Sequence, residues 1–288
     1  MSNTYSSDLV TATLAETAMT VLQDQLCPLS AFSRDFGTDP LKPRATVQVK
    51  LVTAGSATQT NPTNFEQGDS TVDAVPVAVD QISQCFQVSN EDLNSGLRLA
   101  DLVTVNAKVF ASTLLDLAFA PITEANFGAA VLTSAAPAFG WSDMPTLWAA
   151  LKKSDAKHCI LESEFYARLL TQPGYFQALG EGSSGARVFG WDGLFHTSRF
   201  NGAGANVKGF ACNPSAIAVA SGLPAVCNKI KIPGNSLDIQ TVKVPGIDLA
   251  VAYCVWFSNA TRSLWASFDV CFGASKGDTT ALKIVKGT

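Results

Sequence analysis

A long amphipathic pattern runs from Asn90 to about Ala120, and it limits what this chain can fold into more than any other feature. Ser89 with Asp92 three residues later has the form of a capping box, which marks the start of a helix. At 1.5 Å per residue, roughly thirty residues make a rod of roughly 45 Å, which either wraps a globular core or connects separate subdomains. Apolar residues recur at steps of three or four, as one buried face requires: Leu93, Leu97, Ala100, Val103, Ala107, Phe110, Leu114 and Leu117.

Two stretches that alternate apolar and polar residues precede this helix and predict a hairpin with an unusually long loop. The first covers residues 46–51 and the second covers residues 75–79. The connection, residues 54–74, is polar and has only Phe65 and Val72 as large apolar residues. Hairpin loops usually take about two to five residues, so a loop of this length is either disordered or has a partner.

The other patterns are shorter and mix helix with strand. Residues 8–26 predict an amphipathic helix, and residues 31–44 lack periodicity and predict an irregular arm. Further elements along the chain predict an α+β fold: a strand at 158–161, a helix from Ser163, an extended segment at 188–195, a turn or helix start at Asn213, a buried hairpin of residues 249–257 and 264–272, and a last strand or short helix at 280–285.

Composition points to a surface that something other than water covers. Hydrophobic residues make up 47% of the chain and charged residues only 15%, against roughly 25% charged in an average soluble protein. The formal net charge is −4, which argues against a basic nucleic-acid-binding protein, because affinity for phosphate needs clustered Lys and Arg. Enzyme, binding module and assembly subunit all remain open on composition alone.

The seven cysteines include no C-x-x-C pair, so neither a zinc ribbon nor a dithiol redox site is encoded. Several lie in apolar runs, which predicts buried free thiols in a reducing compartment. No Lys or Arg precedes Arg34, and no secretory leader or membrane span is evident. We therefore expect a cytoplasmic site of synthesis and no membrane partner.

Two short motifs suggest chemistry that their surroundings do not support. Residues 180–185 match G-x-G-x-x-G, but the required strand before and helix after are missing, so no dinucleotide site is expected. Ser154 and Lys157 match S-x-x-K, the spacing of a serine nucleophile and its lysine, which keeps a cytosolic serine hydrolase as an alternative. A solvated helix end is the simpler interpretation of those two residues.

The chain has only two histidines, His158 and His196, which excludes a three-histidine metal site. Each lies next to an apolar run, which is typical of a residue at the end of a strand. We therefore expect no catalytic, cofactor-binding or metal-binding residues, and no enzyme activity.

The order of these parts resembles the major capsid proteins of tailed bacteriophages with the HK97 fold. Residues 158–166 are similar to the strand and helix that open the axial domain, and residues 249–272 resemble the strands that return to the peripheral sheet. Matched by segment, the resemblance implies an N-terminal arm (1–45), an extended hairpin loop (46–88), a peripheral domain with a long spine helix (89–155 and 238–288) and an axial α/β domain (156–237).

The resemblance implies a structural subunit that assembles as hexamers and pentamers into an icosahedral head around double-stranded DNA. In such shells the extended loop lies over the spine of the neighbouring subunit. A separate scaffolding protein, a portal, weak contact with DNA and a virion location after assembly in the host cytoplasm are further expectations. No lysine lies between Val52 and Val79, so we expect shells without covalent crosslinks through the loop. An encapsulin-type nanocompartment, which uses the same fold for protein cargo, is the near alternative.

Deleting the loop tip from Ser56 to Asp69 should leave the fold of the isolated subunit unchanged and impair assembly, because so polar a segment contributes little to a core. Circular dichroism and thermal unfolding would check the fold, and sedimentation would check assembly. Loss of secondary structure or solubility in the deletion would mean that the loop belongs to a core.

Overall fold

The structure is a computed structural model that describes residues 7–54, 71–88, 96–152, 156–172, 190–198, 200, 202–225, 237–258 and 263–288. Its fold is α+β, as predicted. The helices are α1 (Ser7–Leu26), α2 (Gly96–Phe119), α3 (Glu124–Phe127), α4 (Asp143–Ala150) and α5 (Ser163–Leu170). The strands are β1 (Ser33–Leu41), β2 (Ala45–Ala54), β3 (Thr71–Val88), β4 (Leu132–Thr133), β5 (His158–Glu162), β6 (Gly193–Thr197), β7 (Val207–Cys212), β8 (Ile217–Pro224), β9 (Leu237–Val244), β10 (Leu249–Ser258), β11 (Ser263–Lys276) and β12 (Leu282–Lys286).

Strand β11 is the centre of the main sheet, whose described strands run in the order β1-β8-β11-β10-β9. The predicted buried hairpin is confirmed, because β10 and β11 pair antiparallel with Ala252 opposite Asp269. Residues 80–88 of β3 pair with β11 on its other side. Strand β11 therefore has paired strands along both edges, and its residues from Ala266 to Gly273 are all buried. Because both of its faces are covered there, the sequence is an almost continuous apolar run.

A second sheet has the order β4-β12-β7-β5-β6 and lies between two groups of buried side chains. Ile160 and Phe210 point from one face into the main core, which also contains α1 and α2. Cys159 and Leu161 point from the other face towards Phe165 of α5. The predicted strand at 158–161, the helix from Ser163 and a final element at 280–285, here strand β12, are all confirmed.

Helix α2 packs one side against α1 and the main sheet. Val103, Phe110 and Leu114 are almost fully buried, and the ring centroids of Phe110 and Phe268 lie 5.8 Å apart. Leu117 was predicted to lie on the same buried stripe, but it is 36% exposed, because the stripe drifts round the helix towards Leu115 and Phe119. Leu93, the side chain of Leu97 and the capping-box residue Ser89 lie outside the described residues.

The predicted hairpin is present, with β2 and β3 antiparallel and Val49 opposite Val75. Its strands are longer than the alternating stretches, and the predicted loop tip falls in residues 55–70, outside the described part. The base of the hairpin lies across the main sheet, where Val77 and Val79 join a buried cluster with Cys271. The hairpin is therefore attached to the body of its own chain at this base.

Five strands, β1, β4, β7, β8 and β9, were missed or misinterpreted. Residues 31–44 predicted an irregular arm, but β1 pairs parallel with β8, with a register shift between Phe36 and Pro40 that conceals the strand pattern. Strand β8 is buried at every position, so it has no alternation to read. Strand β9 alternates only weakly. The G-x-G-x-x-G match at 180–185 lies outside the described residues, and the domain boundaries remain a prediction.

Replacing Gly273 by alanine should destabilise the subunit by about 1–3 kcal/mol, because a methyl group there would overlap the backbone carbonyl oxygen of Ala78, where the hairpin crosses β11. Urea unfolding would measure the loss. Gly140→Ala is the matched control, since its added carbon would meet only the flexible side chain of Gln172 at 3.3 Å. Equal stability of the two variants would contradict the crossing.

Candidate functional site

The outward side of α2 carries two exposed apolar side chains. Val105 is 59% exposed and Val109 is 42% exposed. They are one turn apart, so they are neighbours on one face. Leu117 is also exposed, but it lies seven residues after Phe110 and therefore at the edge of the buried stripe rather than on this face. Single exposed apolar residues are common, but a pair on one helix face marks a surface that gains from being covered. We call Val105 and Val109 the outer face of α2. The sequence held a signal for it, since both valines lie out of phase with the buried stripe.

Strand β3 connects the hairpin to this same helix. The side-chain amide of Gln84 donates to Asn106 Oδ1 at 3.1 Å, and Asn106 Nδ2 donates to the Leu102 carbonyl at 2.8 Å. Asn106 lies next to Val105 in α2, so residues 80–88 of β3 are fastened beside the outer face. The hairpin strand β3 is therefore hydrogen-bonded directly to α2.

The outer edge of β2 is a second candidate interaction surface. In the part of the chain that the structure describes, β2 pairs only with β3. Peptide groups along an unpaired edge can accept another strand. The two faces of β2 also differ, with Val49 and Leu51 buried and Gln48 and Lys50 exposed. The hairpin thus combines a fixed apolar base with a polar face and a free edge.

A third apolar area lies where the β10–β11 hairpin ends. Trp256 and Trp265 face each other across the strands with their ring centroids 6.5 Å apart. The adjacent Phe257 is 41% exposed, and as the next residue along the strand it points to the opposite face of the sheet. Large rings supply much contact area at a low entropic cost, which is why they are frequent in protein interfaces.

Lys157, the lysine of the S-x-x-K motif, is buried and already engaged. Its Nζ donates to the carbonyl oxygens of Leu151 at 2.6 Å and Trp148 at 3.1 Å, and it lies 3.7 Å from the centre of a Trp148 ring. These carbonyls end α4, so Lys157 caps that helix. Ser154 lies outside the described residues. To act as a base, Lys157 would have to leave all of these contacts.

The two histidines lie at opposite ends of the β5–β6 pair. His158 is opposite Gly193, and His196 is opposite Leu161. His196 is exposed and stacks on Tyr166 with ring centroids 4.9 Å apart. The structure therefore does not bring the two imidazoles into one site.

Among the described residues, no group of three His, Cys, Asp or Glu side chains could hold a metal ion. A cavity of about 230 Å³ is lined by Glu162, Phe200, Lys208 and residues 203–207. Lys208 Nζ lies 3.0 Å from Glu162 Oε2 and donates to Oε1 at 3.1 Å. The two charged groups of the cavity therefore neutralise each other and offer no net charge to a ligand.

The cysteines agree in part with the predicted buried thiols. Cys159, Cys212, Cys254 and Cys271 are buried thiols that form no disulfide, and burial raises the pKa of Cys159 and Cys212. Cys85 is exposed, whereas Cys27 is half-buried; Cys227 lies outside the described residues. A thiol with a raised pKa stays protonated and is a poor nucleophile.

One described helical stretch, Ala100–Phe119 of α2, is long and apolar enough to cross a membrane by length and composition. Sequence analysis did not single it out as a span. Phe110 and Leu114 in this stretch lie in the core against α1 and the main sheet, which accounts for its apolar character.

No protein-family model and no curated protein matches this sequence. Solved structures do match. A virus-like particle from Pyrococcus furiosus is 12% identical, with a TM-score of 0.48 over 94% of this chain and 98% of that chain. The capsid of the cyanophage P-SCSP1u is 9% identical (TM-score 0.47; 90% of this chain and 86% of that chain), and the capsid of the myovirus phage XM1 is 13% identical (TM-score 0.47; 91% and 92%). The phage neighbours are capsid structures, the class that the order of elements predicted.

Replacing Lys157 by methionine should destabilise the subunit by about 1–3 kcal/mol, because two carbonyls at the end of α4 lose a charged donor while the side-chain stem is kept. Thermal or urea unfolding would measure this. Lys152→Met removes an exposed lysine and should change stability by less than about 0.5 kcal/mol. An equally small effect at Lys157 would mean that its contacts are not structural.

Proposed function

We propose that this chain is the structural subunit of an icosahedral shell that encloses double-stranded DNA. The observation that carries the proposal is the outer face of α2, an apolar pair on a helix whose opposite side already belongs to the core. A helix with two apolar sides needs a second partner. In a repeating assembly, that partner is another copy of the chain.

Covering the outer face of α2 in every copy of the chain would contribute free energy to assembly. Complete burial of a Val side chain contributes about 1.5–3 kcal/mol, and Val105 and Val109 are partly buried already. A stable interface buries about 800 Å² per partner, so the outer face would be one part of a larger contact. The Trp256–Trp265 pair offers a second apolar contribution, and the exposed Phe257 offers another on the opposite face of the same hairpin.

The hairpin is the element best placed to cover a neighbour. Its base is fixed to the main sheet, its free edge lies on β2, and Gln84 connects it to α2. The resemblance to phage capsid proteins implies that this hairpin lies over the adjacent subunit's spine helix, here α2. Each copy would then donate a hairpin and receive one, which closes into hexamers and pentamers without any chain being different.

The charge of the chain suits a container for DNA. A net charge of −4 gives little attraction for phosphate, so packaged DNA would be confined without being bound tightly. A separate scaffolding protein and a portal complete the proposed assembly, which forms in the host cytoplasm and ends as the virion capsid. We assign the chain no catalytic activity, since Lys157 serves as a helix cap.

Replacing both Val105 and Val109 by aspartate should abolish shell formation and leave the subunit folded, because each charge lies on an exposed position and faces only the neighbour. Sedimentation velocity and electron microscopy would measure assembly, and circular dichroism would report the fold. The double replacement of Thr146 and Ala149 by aspartate, which adds the same two charges at exposed positions of α4, is the matched control. Shells of normal yield from the double variant would sink the proposed interface.

The enclosed material separates a viral head from a protein nanocompartment. Particles from cells that express the chain with its neighbouring genes should contain double-stranded DNA that nuclease cannot digest until the shell is opened. A protein cargo in place of DNA would favour the nanocompartment. A discrete monomer or dimer whose hydrolase activity is lost in Ser154→Ala would contradict both shells.

A further inference from the structure

His158 stands where the second sheet meets the main core. It is the first residue of β5, and Ile160, two residues later on the same face, is fully buried in the main core. Its register partner on β7 is Cys212, which belongs to the same core, and the ring centroid of Phe195 lies 6.1 Å away. A change in the charge of this imidazole would therefore alter the contact between the second sheet and the main core.

One nitrogen of the imidazole has no partner. Nδ1 of His158 is buried and makes no hydrogen bond among the described residues. The opposite strand contributes Gly193, where an added carbon would lie 2.7 Å from Nδ1, so the backbone of β6 passes very close to the ring. A neutral ring with its proton on Nε2 fits this space without placing a donor at the buried Nδ1. A proton on Nδ1 would be a buried donor without an acceptor.

The charged groups around His158 do not compensate for an added proton. Asp192 precedes β6, and its Oδ2 already accepts the backbone N–H of Lys157 at 2.8 Å, while the Asp192 N–H donates to the Lys157 carbonyl at 2.8 Å. The Lys157 ammonium points to the end of α4. Cys212 and Cys159 are buried thiols with raised pKa values and carry no charge at neutral pH.

We propose that His158 is an acid-sensitive pin, whose neutral imidazole holds β5 and β6 against the main core and whose protonation loosens that contact. The space beside Gly193 admits the neutral ring, and no described residue offers an acceptor to Nδ1. The folded state therefore disfavours the charged form of His158. The pin is a property of the single subunit, so it holds whether or not the subunit forms a shell.

The direction of the pH dependence follows from the pKa of His158, which burial lowers and the Asp192 carboxylate partly restores. The unfolded chain has a histidine pKa of about 6.5, so it takes up a proton at a higher pH than the folded chain does. The stabilisation is therefore complete above about pH 6.5 and is lost as the pH falls through that value towards the lower folded pKa.

The chain has only two histidines, which makes the test direct. NMR of the full-length subunit, labelled on its histidines, should give two imidazole signals, which His196→Gln assigns. The His158 signal should titrate at a lower pH than the same histidine in urea-unfolded protein. A His158 signal that titrates as it does in the unfolded chain would overturn the proposal.

Unfolding experiments supply the second measurement. Between pH 7.5 and 5.5, the urea midpoint should fall in the wild type and in His196→Gln, and should fall less in His158→Gln and His158→Leu. Equal pH dependence in the wild type and the two His158 variants would overturn the proposal. If neither His158 variant folds, the NMR titration of the wild type still decides the question.

Discussion

Helix α2 packs against the middle of the main sheet through Phe110, whose ring lies 5.8 Å from that of Phe268 on β11. Most other parts of the fold are attached to one of these two elements. Helix α1 lies along α2, and the strands β3, β8 and β10 all pair with β11. Loss of this contact would separate a helix layer from a sheet layer, and neither could bury its apolar side alone.

The second sheet is joined to the same core by a cluster of aromatic rings. Phe119, at the end of α2, lies 5.4 Å from both Phe200 and Phe210, and Phe32 stacks on Phe210 at 6.1 Å. Contacts of this kind contribute roughly 0.5–1.5 kcal/mol each beyond the area they bury. The C-terminal end of α2 therefore connects the two sheets, and His158 lies at the rim of that connection. This arrangement explains how a single imidazole can affect the contact between the sheets.

Local patterns predicted the elements that have one buried face, and they failed where burial is complete or pairing is distant. The alternation of 75–79 and the three-to-four spacing around Phe110 survive because one side of each element faces water. Strand β8 is buried at every position, and β1 is a strand only because β8 accepts it across a long stretch of sequence. The outer face of α2 was missed for a related reason, since a search for one buried stripe leaves Val105 and Val109 unexplained.

Val109 and Phe110 are adjacent in the sequence but have different proposed roles, the first in association and the second in folding. Successive residues on a helix point about 100° apart, so Phe110 enters the core at 1% exposure while Val109 remains 42% exposed. A change at Phe110 would act on the free energy of unfolding, whereas a change at Val109 would act on the contact that we propose between copies. The hairpin is hydrogen-bonded to the same helix through Gln84 and Asn106. A neighbour that covers the outer face would therefore contact a helix that the core already holds in place. The proposed interface is thus built on a helix whose other side is packed into the core, which is where a repeating shell needs little movement when subunits join.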